Sequence, residues 1–135
     1  MDNLSPKRRS ANMRAIRSND TAPERIVRRM VHAMGCRFRL HQSTLPGKPD
    51  LVFAGKRKVM FVHGCFWHQH KKCREGRHPR SNKKYWVPKL SENVQRDNRH
   101  LKALRRDGWS VLVIWECQVT NDKILRLRLK HFLLN

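Results

Sequence analysis

Residues 45–63 read LPGKPDLVFAGKRKVMFVH, and the order of turn formers and apolar runs within them decides the fold. Thr44-Leu-Pro-Gly-Lys-Pro49 sets prolines on both sides of a glycine, which makes a rigid turn. Two short apolar runs follow, Leu51-Val-Phe53 and Val59-Met-Phe-Val62, on either side of Gly55-Lys56. β-Branched and aromatic runs of that length, split by a turn signal, predict a hairpin. Asp50 stands between the proline turn and the first strand. Its backbone is therefore predicted to be rigid and its carboxylate to project at a strand end.

Upstream, Ser5-Pro6 has the form of a helix cap opening a basic segment to about Ile16, which Ser18-Asn19-Asp20 breaks. Thr21-Ala-Pro-Glu24 has capping-box spacing, and Ile26, Val27, Met30, Val31 and Met34 recur as one helical face. Gly35 ends that helix. Phe38 and Leu40 alternate with charged residues, as in a half-exposed strand. Downstream, Arg74 to Lys84 reads as an irregular basic stretch around Gly76 and Pro79. Leu90, Val94, Leu101 and Leu104 mark a helix ending at Gly108, and Val111-Leu-Val-Ile-Trp115 reads as a buried strand. In the last segment, Lys123 to Leu134, Leu125, Leu127 and Leu129 alternate like a strand. Its length and the cap candidate Thr120 favour a helix. The sum is an α/β domain with a central mixed β-sheet flanked by helices. A chain of 135 residues without internal repeat or linker is expected to form one domain, 1–135, with 1–20 a basic N-terminal segment.

The chain carries 31 Lys+Arg against 10 Asp+Glu, a formal charge of +21, and its hydrophobic fraction is a low 39%. A compact body with that charge repels itself, so its basic surface calls for a polyanion. The cations recur along the whole chain, as in Lys7-Arg8-Arg9, Arg28-Arg29, Lys71-Lys72 and Arg105-Arg106. That spread predicts a folded basic face rather than a disordered arm, with nucleic acid as its partner and steeply salt-dependent binding. No apolar run approaches the roughly 20 residues of a membrane-spanning helix. The opening MDNLSPKRRSANM lacks the apolar core of a signal peptide. A cytoplasmic protein is expected, whose four cysteines are ligands or thiols rather than a disulfide framework.

The segment FVHGCFWHQHKKC, residues 61–73, mixes soft metal ligands, titratable bases and flat aromatic rings in one loop. Cys65, His70 and Cys73 are spaced to meet at one ion, and Cys117 offers a fourth ligand; thiolate and imidazole together suit a structural Zn²⁺. The plainer alternative is buried thiols and surface histidines. Cys36 falls outside the set and reads as a small buried hydrophobe. Asp50 suits Mg²⁺, which favours hard oxygen ligands, although an ordinary turn aspartate is an equal alternative. Glu24 is accounted for as a capping-box residue, and Asp97 lies on the 90–107 helix beside Arg96 and Arg99. His68 reads as a metal ligand, a surface residue or a general base. Phe66, Trp67 and Trp86 are either core residues or wedges that unstack a base step.

LPGKPDLVF, FVHGCFWH and ENVQRDNRHLKALRRDGWSVLVIWEC, in that order and spacing, resemble the very-short-patch-repair (Vsr) mismatch endonucleases of bacteria. SANMRAIRSNDTAPE is similar to the family's opening segment, so the resemblance runs from about Ser10 to Cys117. It implies a restriction-endonuclease-like fold with a structural zinc, and an enzyme that nicks one DNA strand beside the thymine of a T:G mismatch left by deamination of 5-methylcytosine. It further implies a bacterial, nucleoid-associated monomer acting on double-stranded DNA, with mismatch-repair proteins as candidate partners.

Position by position, the resemblance makes Asp50 the principal Mg²⁺ carboxylate, with Val62 contributing its backbone carbonyl where the family often has threonine. His68 resembles the general base that activates water, with Asp97 and Glu24 supporting that histidine and metal-bound waters, and His63 resembles the accompanying active-site histidine. Cys65, His70, Cys73 and Cys117 match the zinc ligands, with one extra residue between His70 and Cys73. Phe66, Trp67 and Trp86 match the aromatic wedge, and Met13 the residue entering from the other groove. Where nucleases of this fold commonly carry an acid-x-Lys triplet, this chain has Val62-His63-Gly64. A histidine must therefore replace part of that machinery. The rivals are a type II restriction-like endonuclease on the same fold and a non-catalytic zinc-containing DNA-binding module.

Overall fold

The structure, a computed structural model, describes residues 21–65, 68–70 and 82–134. The basic helix expected after Ser5-Pro6 lies outside these residues, as do Met13, Phe66, Trp67 and Cys73.

Helix α1 spans Ala22–Ala33. Thr21 caps it, its hydroxyl accepting the Glu24 N–H at 3.4 Å, and Pro23 fits the first turn because no intrahelical partner awaits an N–H there. Its far end is a Schellman turn: Gly35, at φ +80°, donates to the His32 carbonyl, and Cys36 donates to that of Val31. Val27 and Val31 are fully buried, while Ile26, expected on the same face, is 38% exposed.

Four strands follow in the spatial order β1-β2-β3-β4: Arg39–Leu40, Leu51–Phe53, Lys58–His63 and Ser110–Trp115. The first three pair antiparallel, and β4 lies parallel to β3. A parallel pair requires a crossover, here made by helix α2, Lys83–Arg106. The expected β2–β3 hairpin is present, but its turn is a single 3₁₀ turn, Ala54–Lys56, closed by Arg57 in the left-handed region at φ +52°. Gly55 is not the residue that takes the left-handed conformation.

Strand alternation sorts the core into two faces. Leu51, Phe53, Met60 and Ile114 pack with Val27 and Val31 of α1 and with Leu125, Leu129 and Leu133 of α3, which spans Asp122–Leu134. Val52, Val59 and Phe61 pack on the other side against Leu104 and Leu101 of α2. Each fully buried leucine of α3 contributes on the order of 2 kcal/mol. Lys56 of the hairpin turn and Lys58 at the start of β3 donate to the Leu133 and Phe132 carbonyls and so satisfy the orphaned C-terminal end of α3.

Three local expectations need correction. Helix α2 starts at Lys83, well before Leu90, and runs through Pro88. Proline removes one hydrogen bond, and burial of Trp86 and Leu90 on flanking turns holds the helix together across it. Strand β4 is an edge of the sheet among the described residues, with Ile114 its one fully buried side chain, rather than a strand buried throughout. The cap of α3 is Asn121, whose side-chain oxygen accepts the Ile124 N–H at 3.1 Å; Thr120 donates instead to the Cys117 carbonyl.

Candidate functional site

Topology gathers the chemistry at one end of the sheet. Because β2 runs against β3, the start of β2 and the end of β3 are neighbours. Because β4 runs with β3, Trp115 is delivered beside His63. The proline turn fixes Asp50 at that end. Pro46 and Gly47, at φ +75°, occupy the centre of a turn in which Lys48 donates to the Leu45 carbonyl at 3.0 Å. A Cβ on Gly47 would stand 2.9 Å from the His100 Cβ, so the glycine lets the turn seat against α2. Pro49 behind it is fully buried.

Glu24, His41 and Asp50 form the first cluster, with ligand atoms all within 4.8 Å of one another. The β2–β3 ladder ends at Leu51–Met60, and beyond it Asp50 Oδ2 accepts the Val62 N–H at 2.7 Å. Glu24, buried on α1, does not complete a capping box. Its carboxylate accepts from His41 Nε2 at 3.0 and 3.1 Å, with Arg28 at 3.5 Å. Burial pushes the Asp50 carboxyl up to about 8, the Val62 N–H opposes this, and the neighbouring Glu24 reinforces it. Two carboxylates in a desolvated corner invite either a shared proton or a cation. His41 did not stand out in the sequence. The available signal was a titratable side chain at the end of a strand that pairs with the one Asp50 opens.

His63, His68 and Asp97 form the second cluster. His63 continues the Val59–Phe61 face toward α2, and its ring stacks on His68 at 3.8 Å and 9°. Asp97 lies on the stripe of α2 that also carries buried Leu90, Asn93 and Leu104, so it points at the sheet rather than at solvent. Its Oδ2 accepts from His68 Nδ1 at 2.5 Å. That bond fixes the His68 tautomer and leaves Nε2 as the basic nitrogen. Burial, reinforced by His68 and opposed by Asp97, lowers His63 to about 3, so this imidazole is neutral at any working pH. Its Nδ1 is buried and meets no hydrogen-bond partner among the described residues.

Cys65, His70 and Cys117 form the third. His70 Nδ1 lies 3.7 Å from Cys65 Sγ and 3.4 Å from Cys117 Sγ, and desolvation holds its imidazole below the ordinary value, toward the neutral form a metal takes. The loop separates the two histidines by backbone geometry. His68 donates to the Gly64 carbonyl, His70 to that of Cys65, and Gln69 between them is left-handed at φ +50°. His68 thus faces Asp97 while His70 faces the thiols. Trp115 joins the clusters, stacking on His70 at 4.2 Å and meeting His63 edge-on at 5.2 Å. Trp86 is 4% exposed and edge-on to exposed Tyr85, so acting as a wedge would require it to leave that packing.

The donor chemistry sorts these sites. Carboxylate oxygens suit a hard cation such as Mg²⁺, whereas thiols and imidazole suit Zn²⁺. Both donor sets fit the ions the sequence suggested. A carboxylate pair and an aspartate-oriented imidazole, at one end of a mixed α/β sheet, can chemically hold a hard cation near a nitrogen able to accept a proton.

Comparison with known proteins narrows that chemistry. The family described as DNA mismatch endonuclease Vsr matches residues 1–75. A type II nicking enzyme, V.XorIIP of Xanthomonas oryzae pv. oryzae, is 48% identical over 132 residues, covering 98% of this chain and 96% of its own. The DNA mismatch endonuclease Vsr of Escherichia coli is 39% identical over 130 residues, covering 93% and 83%. The type II nicking enzyme V.NmeAIP of Neisseria meningitidis is 38% identical over 130 residues, covering 96% and 92%. The chain belongs to the DNA mismatch endonuclease Vsr family.

Proposed function

We propose that this Vsr-type DNA endonuclease nicks one strand beside the thymine of a T:G mismatch by Mg²⁺-dependent hydrolysis, on a restriction-endonuclease-like scaffold that carries a structural zinc. The observation that carries this reading is that the end of β3 meets both the Glu24–Asp50 and His68–Asp97 pairs, Asp50 through the Val62 N–H and His68 through the stacked His63 ring. A non-catalytic module leaves both pairs without a role. The names of two relatives, type II nicking enzymes, support cutting of one strand over two.

Asp50, with the Val62 backbone carbonyl and Glu24 nearby, would hold Mg²⁺. When bound there, the ion supplies polarisation of the scissile phosphate and stabilisation of the leaving oxygen. His68 Nε2 takes the proton of the attacking water, and Asp97 steadies the imidazolium through Nδ1–H. His63 keeps the His68 ring in place by stacking and, its basicity lowered by burial, does not compete for that proton. Zinc would be held by Cys65, His70, Cys117 and Cys73, which lies outside the described residues.

Mismatch selection is assigned to Phe66 and Trp67, with Trp86 and Met13 as further contacts. A T:G wobble stacks less well than a matched pair, so a wedge there saves part of an unstacking cost of about a few kcal/mol. Every ~1.4 kcal/mol saved is about tenfold in binding. The deciding experiment compares a T:G heteroduplex with its matched duplex, with and without Mg²⁺. A single nick on the heteroduplex, only with Mg²⁺, is expected. Equal cutting of both duplexes removes the mismatch assignment, and cutting of both strands restores the restriction-like reading. Trp67→Ala is expected to reduce the preference for the heteroduplex more than it reduces non-specific affinity.

A further inference from the structure

Glu24 and Asp50 come from different elements, a helix and a strand end, and two carboxylates brought together from separate elements repel. Something must hold Glu24 in the corner. Arg28 reaches it from the same helix at 3.5 Å, one turn on. The residue on the Asp50 side is His41, whose Nε2 lies 3.1 and 3.0 Å from the two Glu24 oxygens and 4.0 Å from Asp50 Oδ1. A carboxylate only accepts, so Nε2 carries the hydrogen. The His41 backbone N–H also donates to the Asp50 carbonyl at 3.3 Å. One residue therefore grips the backbone of one acid and the side chain of the other. It does so at φ +48°, a left-handed conformation that non-glycine residues keep only where their surroundings impose it.

Resting on the Mg²⁺ reading above, we propose that His41 is a positioning residue of the cation corner: its imidazole N–H fixes the Glu24 carboxylate toward Asp50, so that both acids present oxygens to one divalent ion. Direct ligation by His41 is the less suitable role, because Mg²⁺ favours oxygen donors over imidazole.

The test uses the full zinc-loaded chain bound to a T:G duplex, with Mn²⁺ binding followed by electron paramagnetic resonance and the Mg²⁺ dependence of nicking measured alongside. Asn suits the left-handed backbone but is too short to reach Glu24. His41→Asn should therefore fold, melt near the parent, and bind Mn²⁺ about 10- to 100-fold more weakly. His41→Gln places an amide N–H where Nε2 stood and should recover most of that affinity. The Mg²⁺ needed for half-maximal nicking should rise in His41→Asn, with the rate at saturating Mg²⁺ changed much less. Unaltered Mn²⁺ affinity in His41→Asn overturns the proposal, and so does a His41→Gln variant as weak as His41→Asn. Asp50→Ala serves as the reference. Should it bind Mn²⁺ as tightly as the parent, the cation corner itself is refuted, and the role of His41 with it.

Discussion

The Glu24–Asp50 corner and the Cys65–His70–Cys117 cluster sit at the same end of the sheet and are built in opposite ways. The corner rests on rigid elements: the first turn of α1, a buried proline turn, and a strand whose N–H already holds Asp50 at 2.7 Å. It is preorganised by protein hydrogen bonds alone. The thiol cluster draws Cys65 and His70 from a loop and Cys117 from a single 3₁₀ turn, and its ligand atoms face one another across 3.4–3.7 Å. A protein-made corner should lose chemistry when altered, and a cluster closed by the zinc proposed above should lose structure.

The largest effect expected from that contrast is on the thiol side. Stripping zinc with a chelator, or replacing Cys117 by Ser, should unfold the chain, because structural zinc binding is coupled to folding. Circular dichroism showing a folded, active, metal-free protein would refute the assignment. On the acidic side, Asp50→Ala should abolish nicking while zinc content, fold and DNA affinity persist, since a surface of net charge +21 dominates affinity. Loss of DNA binding in a gel-shift assay would break the contrast.

Between the two lies His68. His68→Ala should slow nicking by about 10²–10⁴-fold and retain zinc. Metal analysis showing zinc loss would transfer His68 from the base to the ligand set. A smaller effect concerns stability. The folded Asp50 carboxyl titrates near 8, above its ordinary 3.8, so its stabilising contribution is full below about 4 and is lost as pH rises through 8. In Mg²⁺-free buffer, Asp50→Asn should therefore match the parent near pH 4 and melt higher at pH 8, by roughly 5 °C. A parent that melts at or above the variant at pH 8 would show that the corner is not strained without its cation. The smallest effect belongs to Cys36, packed half-buried at the core edge. Cys36→Ser should leave the zinc stoichiometry unchanged by atomic absorption.

Much of this was legible in local sequence. Periodicity marked α1, the β2–β3 hairpin and β4, and the proline turn placed Asp50 correctly at a strand start. What was misread has a common cause. The basic stretch to Lys84 reads as irregular and periodicity marks the helix only from Leu90, whereas α2 starts at Lys83 and buries Trp86. Glu24 satisfied a capping pattern so well that its tertiary contact with His41 was invisible. Asp97 carried no local signal beyond its neighbours Arg96 and Arg99, although its spacing from Leu90, Asn93 and Leu104 puts it on the buried stripe. His41 and Trp115 gave no local signal, because each acts through a neighbour distant in the chain.

The sequence by itself determined the element types, the basic surface, the soft-ligand loop and the family resemblance, because each depends on residue chemistry at short range. Tertiary structure decided the rest. The antiparallel β2–β3 and parallel β3–β4 pairings bring Asp50, His63 and Trp115 to one end of the sheet. A left-handed Gln69 then parts His68 from His70, and α1 brings Glu24 within reach of His41. Such contacts join residues far apart in the chain, with 51 positions between the Cys65 N–H and the Glu116 carboxylate that accepts it. No local preference encodes such a distance; only the packing of helices on the two faces of the sheet sets it.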